Sequence, residues 1–130
     1  MDTVQQKLID LENWIEDINR RNAIALVEGP HDEEALQLLK MNHIIKINKR
    51  PLYEVVEELS TLNLDVVILT DLDSRGDTLL ISLRRDLISL GVRVTISHRE
   101  WLRSNTPVRQ IEDLKGYVEN LQKKIFGPIV

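Results

Sequence analysis

Apolar residues fall along this chain in two alternating rhythms. Some stretches are continuous and short, others step by three and four. Val4, Leu8, Leu11, Ile15 and Ile18 form the first stepped stripe, and the spacing predicts an amphipathic helix over 3–21. Thr3 or Asp2 is placed to cap it. Ala23 to Val27 is a continuous apolar run and predicts a buried strand ending at Glu28-Gly29-Pro30. A helix is expected from about Asp32 to Lys40, with Asp32, Glu33 and Glu34 in its first turn as complements to the helix dipole. His43 to Ile47 reads as a second strand, and Asn48-Lys49-Arg50 as a loop. Pro51 opens a helix carrying Leu52, Val55, Val56 and Leu59. The strongest apolar run, Val66 to Leu69, marks a buried strand over 65–70 that stops at Asp71 and Asp73, before Gly76 turns the chain into a helix over about 77–90. Gly91 ends that helix, Val92 to Ile96 is a fourth strand, and 97–105 reads as a polar loop with one helical turn around Trp101. Thr106-Pro107 then signals the start of a last helix to 126, striped by Ile111, Leu114, Val118, Leu121 and Ile125.

Strands alternating with helices imply an α/β domain with a parallel sheet covered on both faces. The expected architecture is a Rossmann-like, four-stranded sheet in the order 2-1-3-4, with extra amphipathic helices at both ends. One domain over 1–130 is expected, its core at about 23–97. The terminal stripes suit either core packing or contact with a second copy or a protein partner.

Composition changes this picture little. No apolar run approaches the roughly 20 residues of a membrane-crossing helix. Met1-Asp2-Thr3-Val4 lacks the basic region and apolar core of an export signal, and there is no cysteine, so a cytoplasmic protein without disulfides or thiol catalysis is expected. Charge changes it more. The net charge of −4 hides an uneven distribution: residues 1–78 carry −8 and residues 79–130 carry +4. A locally basic surface matters more for binding phosphates than the total does.

In such sheets, ligands bind beyond the carboxyl ends of strands, where strand order reverses. Glu28-Gly29 follows the first strand; Asn48, Lys49 and Arg50 follow the second; Asp71, Asp73 and Arg75 follow the third; Ser97, His98, Arg99 and Arg103 follow the fourth. In the order 2-1-3-4, Glu28 stands beside Asp71 and Asp73. Alternate residues of an extended segment face one way, so the two aspartates can converge on a hard cation such as Mg²⁺. Lys49, Arg50, Arg75, Arg99 and Arg103 would then form a rim that holds phosphates. Glu28, arriving from another strand, is the carboxylate spared for acid–base work. Asp77 supports the site through a water or caps its helix. This composition suits phosphoryl transfer.

The two motifs, Val27-Glu28-Gly29-Pro30-His31-Asp32-Glu33-Glu34-Ala35-Leu36 and Thr70-Asp71-Leu72-Asp73-Ser74-Arg75-Gly76, resemble those of the Toprim domain family over roughly residues 23–97. The Thr-Asp-x-Asp-x-x-Gly form is most similar to that of the ribonucleases that mature 5S ribosomal RNA and of small stand-alone archaeal Toprim proteins. The resemblance implies Mg²⁺ (or Mn²⁺) held by Asp71 and Asp73, with Glu28 as general acid or base and Gly29 and Gly76 shaping the loops. It implies a nuclease acting on RNA or DNA. A topoisomerase or primase is not expected, because a nucleophilic tyrosine domain and a zinc module are both missing. Response regulators need paired acids after strand one and a lysine after the last strand, which Glu28-Gly29 and Arg93 or Arg99 do not supply, and haloacid-type phosphatases put Asp-x-Asp on strand one. The competing expectation is a non-catalytic nucleic-acid-binding or assembly subunit.

Overall fold

The computed structural model describes residues 3–127. Its four parallel strands are β1 (Ile24–Val27), β2 (Ile44–Lys46), β3 (Val66–Ile68) and β4 (Val94–Thr95), in the order β2-β1-β3-β4. Register pairs Ala25 with Ile44 on one side of β1 and with Val67 on the other. The expected α/β architecture and strand order are those observed.

Six helices surround the sheet: α1 (Val4–Arg20), α2 (Pro30–Leu38), α3 (Leu52–Ser60), α4 (Ser74–Ser89), α5 (Ser97–Asn105) and α6 (Leu114–Phe126). Strand pleating divides the core in two, because successive side chains leave opposite faces. Ala25, Val27, Val67 and Leu69 face a layer built from α1, α2, α5 and α6. Ile24, Leu26, Val66 and Ile68 face α3 and α4. The stripes of both terminal helices are spent in the first layer: Leu8, Leu11, Ile15 and Ile18 pack with Ile111, Leu114, Val118 and Leu121. Among the described residues, no helix is long and apolar enough to cross a membrane.

Thr3 caps α1 by accepting from the Gln6 N–H at 3.0 Å; the alternative cap, Asp2, lies outside the described residues. Gly91, at φ +81°, ends α4 in a backbone region that side chains disfavour.

The strands are shorter than the sequence suggests, β4 most of all, and four differences at the helices each have a local reason. α2 starts at Pro30 because Asp32 accepts from the Gly29 N–H at 3.1 Å and fixes the first turn. α4 starts at Ser74 because Asp73 is its cap. Residues 97–105 are a full helix, not a loop with one turn. Its buried side consists of His98, Arg99 and Leu102, a face that carries almost no apolar signal. The last helix does not begin at 107. Thr106 closes α5 instead, its hydroxyl donating to the Leu102 carbonyl at 2.8 Å. Residues 106–110 contain no regular helix, and a 3-10 turn at Ile111–Asp113 leads into α6.

Candidate functional site

β1 and β3 are neighbours, so their carboxyl-end loops meet where strand order reverses. There the Glu28 carboxylate accepts from the Asp71 N–H at 2.7 Å. This contact joins the two motifs, and Asp71 is held from two further directions. Its side-chain Oδ1 accepts from the Ile111 N–H at 3.0 Å, and its carbonyl accepts from Arg99. The next residue, Leu72, donates its N–H to the Arg109 carbonyl at 2.7 Å. The stretch before α6 therefore forms one wall of the site.

β3 ends at Ile68, so the pleat alternation expected to aim Asp71 and Asp73 together does not extend to them. They come near each other through the turn into α4. Asp73 Oδ1 accepts from the Gly76 N–H at 2.7 Å, and the Thr70 hydroxyl donates to the Gly76 carbonyl at 2.8 Å. The turn is so tight that a Cβ at Gly76 would stand 1.8 Å from the Asp71 carbonyl oxygen. Only glycine fits there.

A cavity of about 250 Å³ opens at this point, lined among others by Glu28, Asp32, Asn48, Lys49, Asp71 and Gln110. Its acids are crowded. Burial pushes the Glu28 carboxyl above its ordinary range, and the charges of Asp71 and Asp73 add to the effect. Burial likewise raises Asp71, with a contribution from Asp73. Asp32 is 7% exposed and is pushed up to about 6 by burial and by the Asp71 charge. The sequence pattern marks Asp32 as a helix cap only. Its bond to Gly29 fits that role, but the side chain also borders the cleft. Gln110 and Glu112 carry no site signal in the sequence, because they lie far along the chain in a stretch that patterns as helix.

The expected basic rim is only partly there. Lys49 and Arg75 are exposed, with no salt bridge among the described residues, and Lys49 lines the cleft. Asn48 and Lys49 both adopt left-handed backbone, at φ +50° and +65°, and the Asn48 N–H is tied to the Glu28 carbonyl at 2.9 Å. Arg50 is turned away into ion pairs with Glu58 at 2.6 Å and Glu54 at 3.6 Å. Arg99 is a correction: it is 1% exposed and cannot touch a substrate phosphate. Its guanidinium lies behind the loop, donating to the Thr70 carbonyl at 2.9 Å and to Asp77 at 2.7 Å. Arg103 reaches the same Asp77 oxygen at 2.6 Å and keeps an exposed flank. Asp77 is not the cap of α4, a role taken by Asp73. Hydrogen bonding to Arg99 and the charge of Arg103 outweigh desolvation and hold its carboxyl below the ordinary range.

The donor set fits a hard cation. Among the described residues, Glu28, Asp71 and Asp73 each commit one carboxylate oxygen to a backbone N–H and leave the other without a hydrogen bond. Among the same residues, no group of three or more His, Cys, Asp or Glu side chains is arranged so that it could hold a metal ion. Mg²⁺ keeps much of its water and is commonly held by one or two carboxylates together with substrate phosphates, so an open set of this kind suits it.

A second cleft, about 480 Å³, lies between α1 and α5. Several of its polar groups pair with one another, although His98 Nδ1 is buried without a hydrogen-bond partner among the described residues. The His98 ring meets Asp17 at 2.7 Å, Asp17 also binds Arg21 at 3.0 Å, and the Trp14 indole N–H donates to the His98 carbonyl at 2.9 Å. That junction fastens the helices together.

No family model matches the chain. It is 31% identical over 122 residues to the UPF0292 protein Mbar_A0484 of Methanosarcina barkeri, covering 92% of this chain and 85% of the relative. It is 36% identical over 109 residues to a UPF0292 protein of Thermococcus sibiricus, covering 82% and 86%. Among solved structures, a protein from Aquifex aeolicus matches with a TM-score of 0.71 at 28% identity, over 79% of this chain and 96% of that one.

Proposed function

The chain belongs to the UPF0292 family, and from the site it carries we propose that it is a Mg²⁺-dependent enzyme of Toprim type that cleaves phosphodiester bonds in RNA or DNA. The observation that carries this reading is the bond from the Asp71 N–H to Glu28 across the strand-order reversal. It brings the Glu-Gly motif and Asp71 of the Asp-x-Asp motif to one cleft, with Asp73 outside the lining but near enough for its charge to act on both Glu28 and Asp71. Asp71 and Asp73 would hold the cation, which supplies positive charge to the phosphate oxygens as charge builds on them. Glu28, raised by burial, would move the proton at the reacting oxygen. Lys49 and Arg75 are the exposed cations best placed to hold flanking phosphates, with Arg103 available at its open edge.

The non-catalytic alternative draws on a different observation: each site carboxylate already accepts a backbone N–H, so the acids also act as loop fasteners. Glu28→Gln separates the two readings. The catalytic reading predicts that Mg²⁺-dependent cleavage of labelled RNA or DNA falls by about 100-fold or more, while binding to the same strand is kept. Cleavage that survives the substitution removes Glu28 from the chemistry. Wild-type protein that binds but never cleaves any of these substrates favours the binding subunit.

A further inference from the structure

Beyond the edge of the sheet, a loop backbone has no ladder to hold it. The last such bond on this side of β3 runs from the Leu69 N–H to the Leu26 carbonyl at 2.8 Å. Two peptides further on, the one that joins Thr70 to Asp71 has both of its polar groups taken by side chains. Its oxygen accepts from Arg99 Nε at 2.9 Å, and its N–H donates to Glu28 Oε2 at 2.7 Å. A trans peptide is planar, with these two groups pointing opposite ways, so neither can turn without the other. Arg99 also grips the following carbonyl, that of Asp71, through Nη2. Its own charge is met by Asp77 at 2.7 Å and Glu100 at 3.6 Å.

We propose that Arg99 is a positioning residue of the site, clamping the Thr70–Asp71 peptide from behind so that Glu28 and Asp71 keep a fixed mutual placement. The proposal rests on the reading of Glu28 and Asp71 as the working acids, and it replaces the phosphate-holding role that the sequence suggests for Arg99. Burying an arginine is costly unless its donors are satisfied, and here the planar fork spans two successive carbonyls and a carboxylate. A lysine keeps the charge but lacks the fork.

The test is Arg99→Lys in the full chain, read by amide hydrogen exchange and by binding of Mn²⁺ alone. The Asp71 amide is expected to exchange about tenfold faster or more, while the Leu69 amide, two peptides from the clamp, stays within about threefold of wild type. Mn²⁺ affinity is expected to fall at least about tenfold. A folded variant with unchanged Asp71 exchange overturns the proposal; equal acceleration at Asp71 and Leu69 also overturns it, because the role is then general support. If wild type binds no Mn²⁺, the metal reading above fails, while the exchange comparison still decides the role of Arg99. If Arg99→Lys does not fold, Asp77→Asn serves in its place. It withdraws the ionic partner and leaves the guanidinium, and Asp71 exchange should rise by about threefold with Leu69 unmoved. No change at Asp71 counts against the clamp.

Discussion

Residues 70–77 separate two groups of carboxylates whose surroundings are opposite. In front, Glu28, Asp32 and Asp71 share a cleft with no cation paired to them among the described residues, and burial drives all three up from their ordinary range. Behind, Asp77 sits between Arg99 and Arg103 and is held low. The residue types are the same on both sides and the segment is eight residues long. What differs is which partner each carboxylate meets. The rear is electrostatically closed, so adding a cation there brings nothing. The front stores repulsion that a divalent ion would relieve, which is the physical sense in which a stable fold can hold a site open.

The largest break in this contrast should come from Gly76→Ala. Its Cβ would collide with the Asp71 carbonyl oxygen at 1.8 Å, and the obstacle is backbone. We expect a loss of about 3 kcal/mol or more in urea unfolding, because the turn that keeps front and rear apart must open. Next is the double change Asp71→Asn with Asp73→Asn. It should abolish the stabilisation by Mg²⁺, about 2.7 kcal/mol for the wild type at a hundredfold excess over Kd. It should also raise the melting temperature of the metal-free protein. An undiminished Mg²⁺ shift would mean that the cation binds elsewhere.

Asp32→Asn probes the front by pH. Its folded pKa, about 6, lies above the ordinary value of 3.8, so the folded chain binds the extra proton and stability falls as pH rises from about 4 to 6. The variant should therefore gain about 3 kcal/mol at pH 7 and almost nothing at pH 3.5. A parallel offset at both values would show that packing, not charge, is responsible. The smallest effect is expected from Asp77→Asn, because Asp77 is half exposed. Its folded pKa is lowered, so its contribution is present above the unfolded value and disappears as pH falls through the folded one. The variant should be less stable at pH 7 and equal to wild type in strong acid.

Much of this was legible in the sequence, and the parts that were not share a cause. The strands could be read because runs such as Val66 to Leu69 are apolar on both faces. The two motifs could be read because each is contiguous. α5 could not, since its inward side is His98 and Arg99, whose burial is made tolerable by Asp17, Thr70, Asp71 and Asp77. No periodicity count detects a core position that is polar and paired across the fold. The same blindness placed Arg99 on the rim. It also hid the wall around Ile111, which is tied to Asp71 by a bond from the Ile111 N–H to the Asp71 carboxylate spanning 40 residues. Asp32 was half legible: its helix-start role is local, but its charge environment comes from neighbours that only folding supplies.

The chain holds two tryptophans, and both stand at the junction of α1 with α5. Trp14 packs edge-on to the His98 ring with centroids 6.3 Å apart, and Trp101 shares the same cleft. Intrinsic fluorescence is therefore a detector of that junction. An emission shift would report α1 loosening from α5. The carboxylate cleft has no tryptophan in its lining, so an ion settling there can leave the emission spectrum unchanged. A titration followed only by fluorescence would then score a working site as empty.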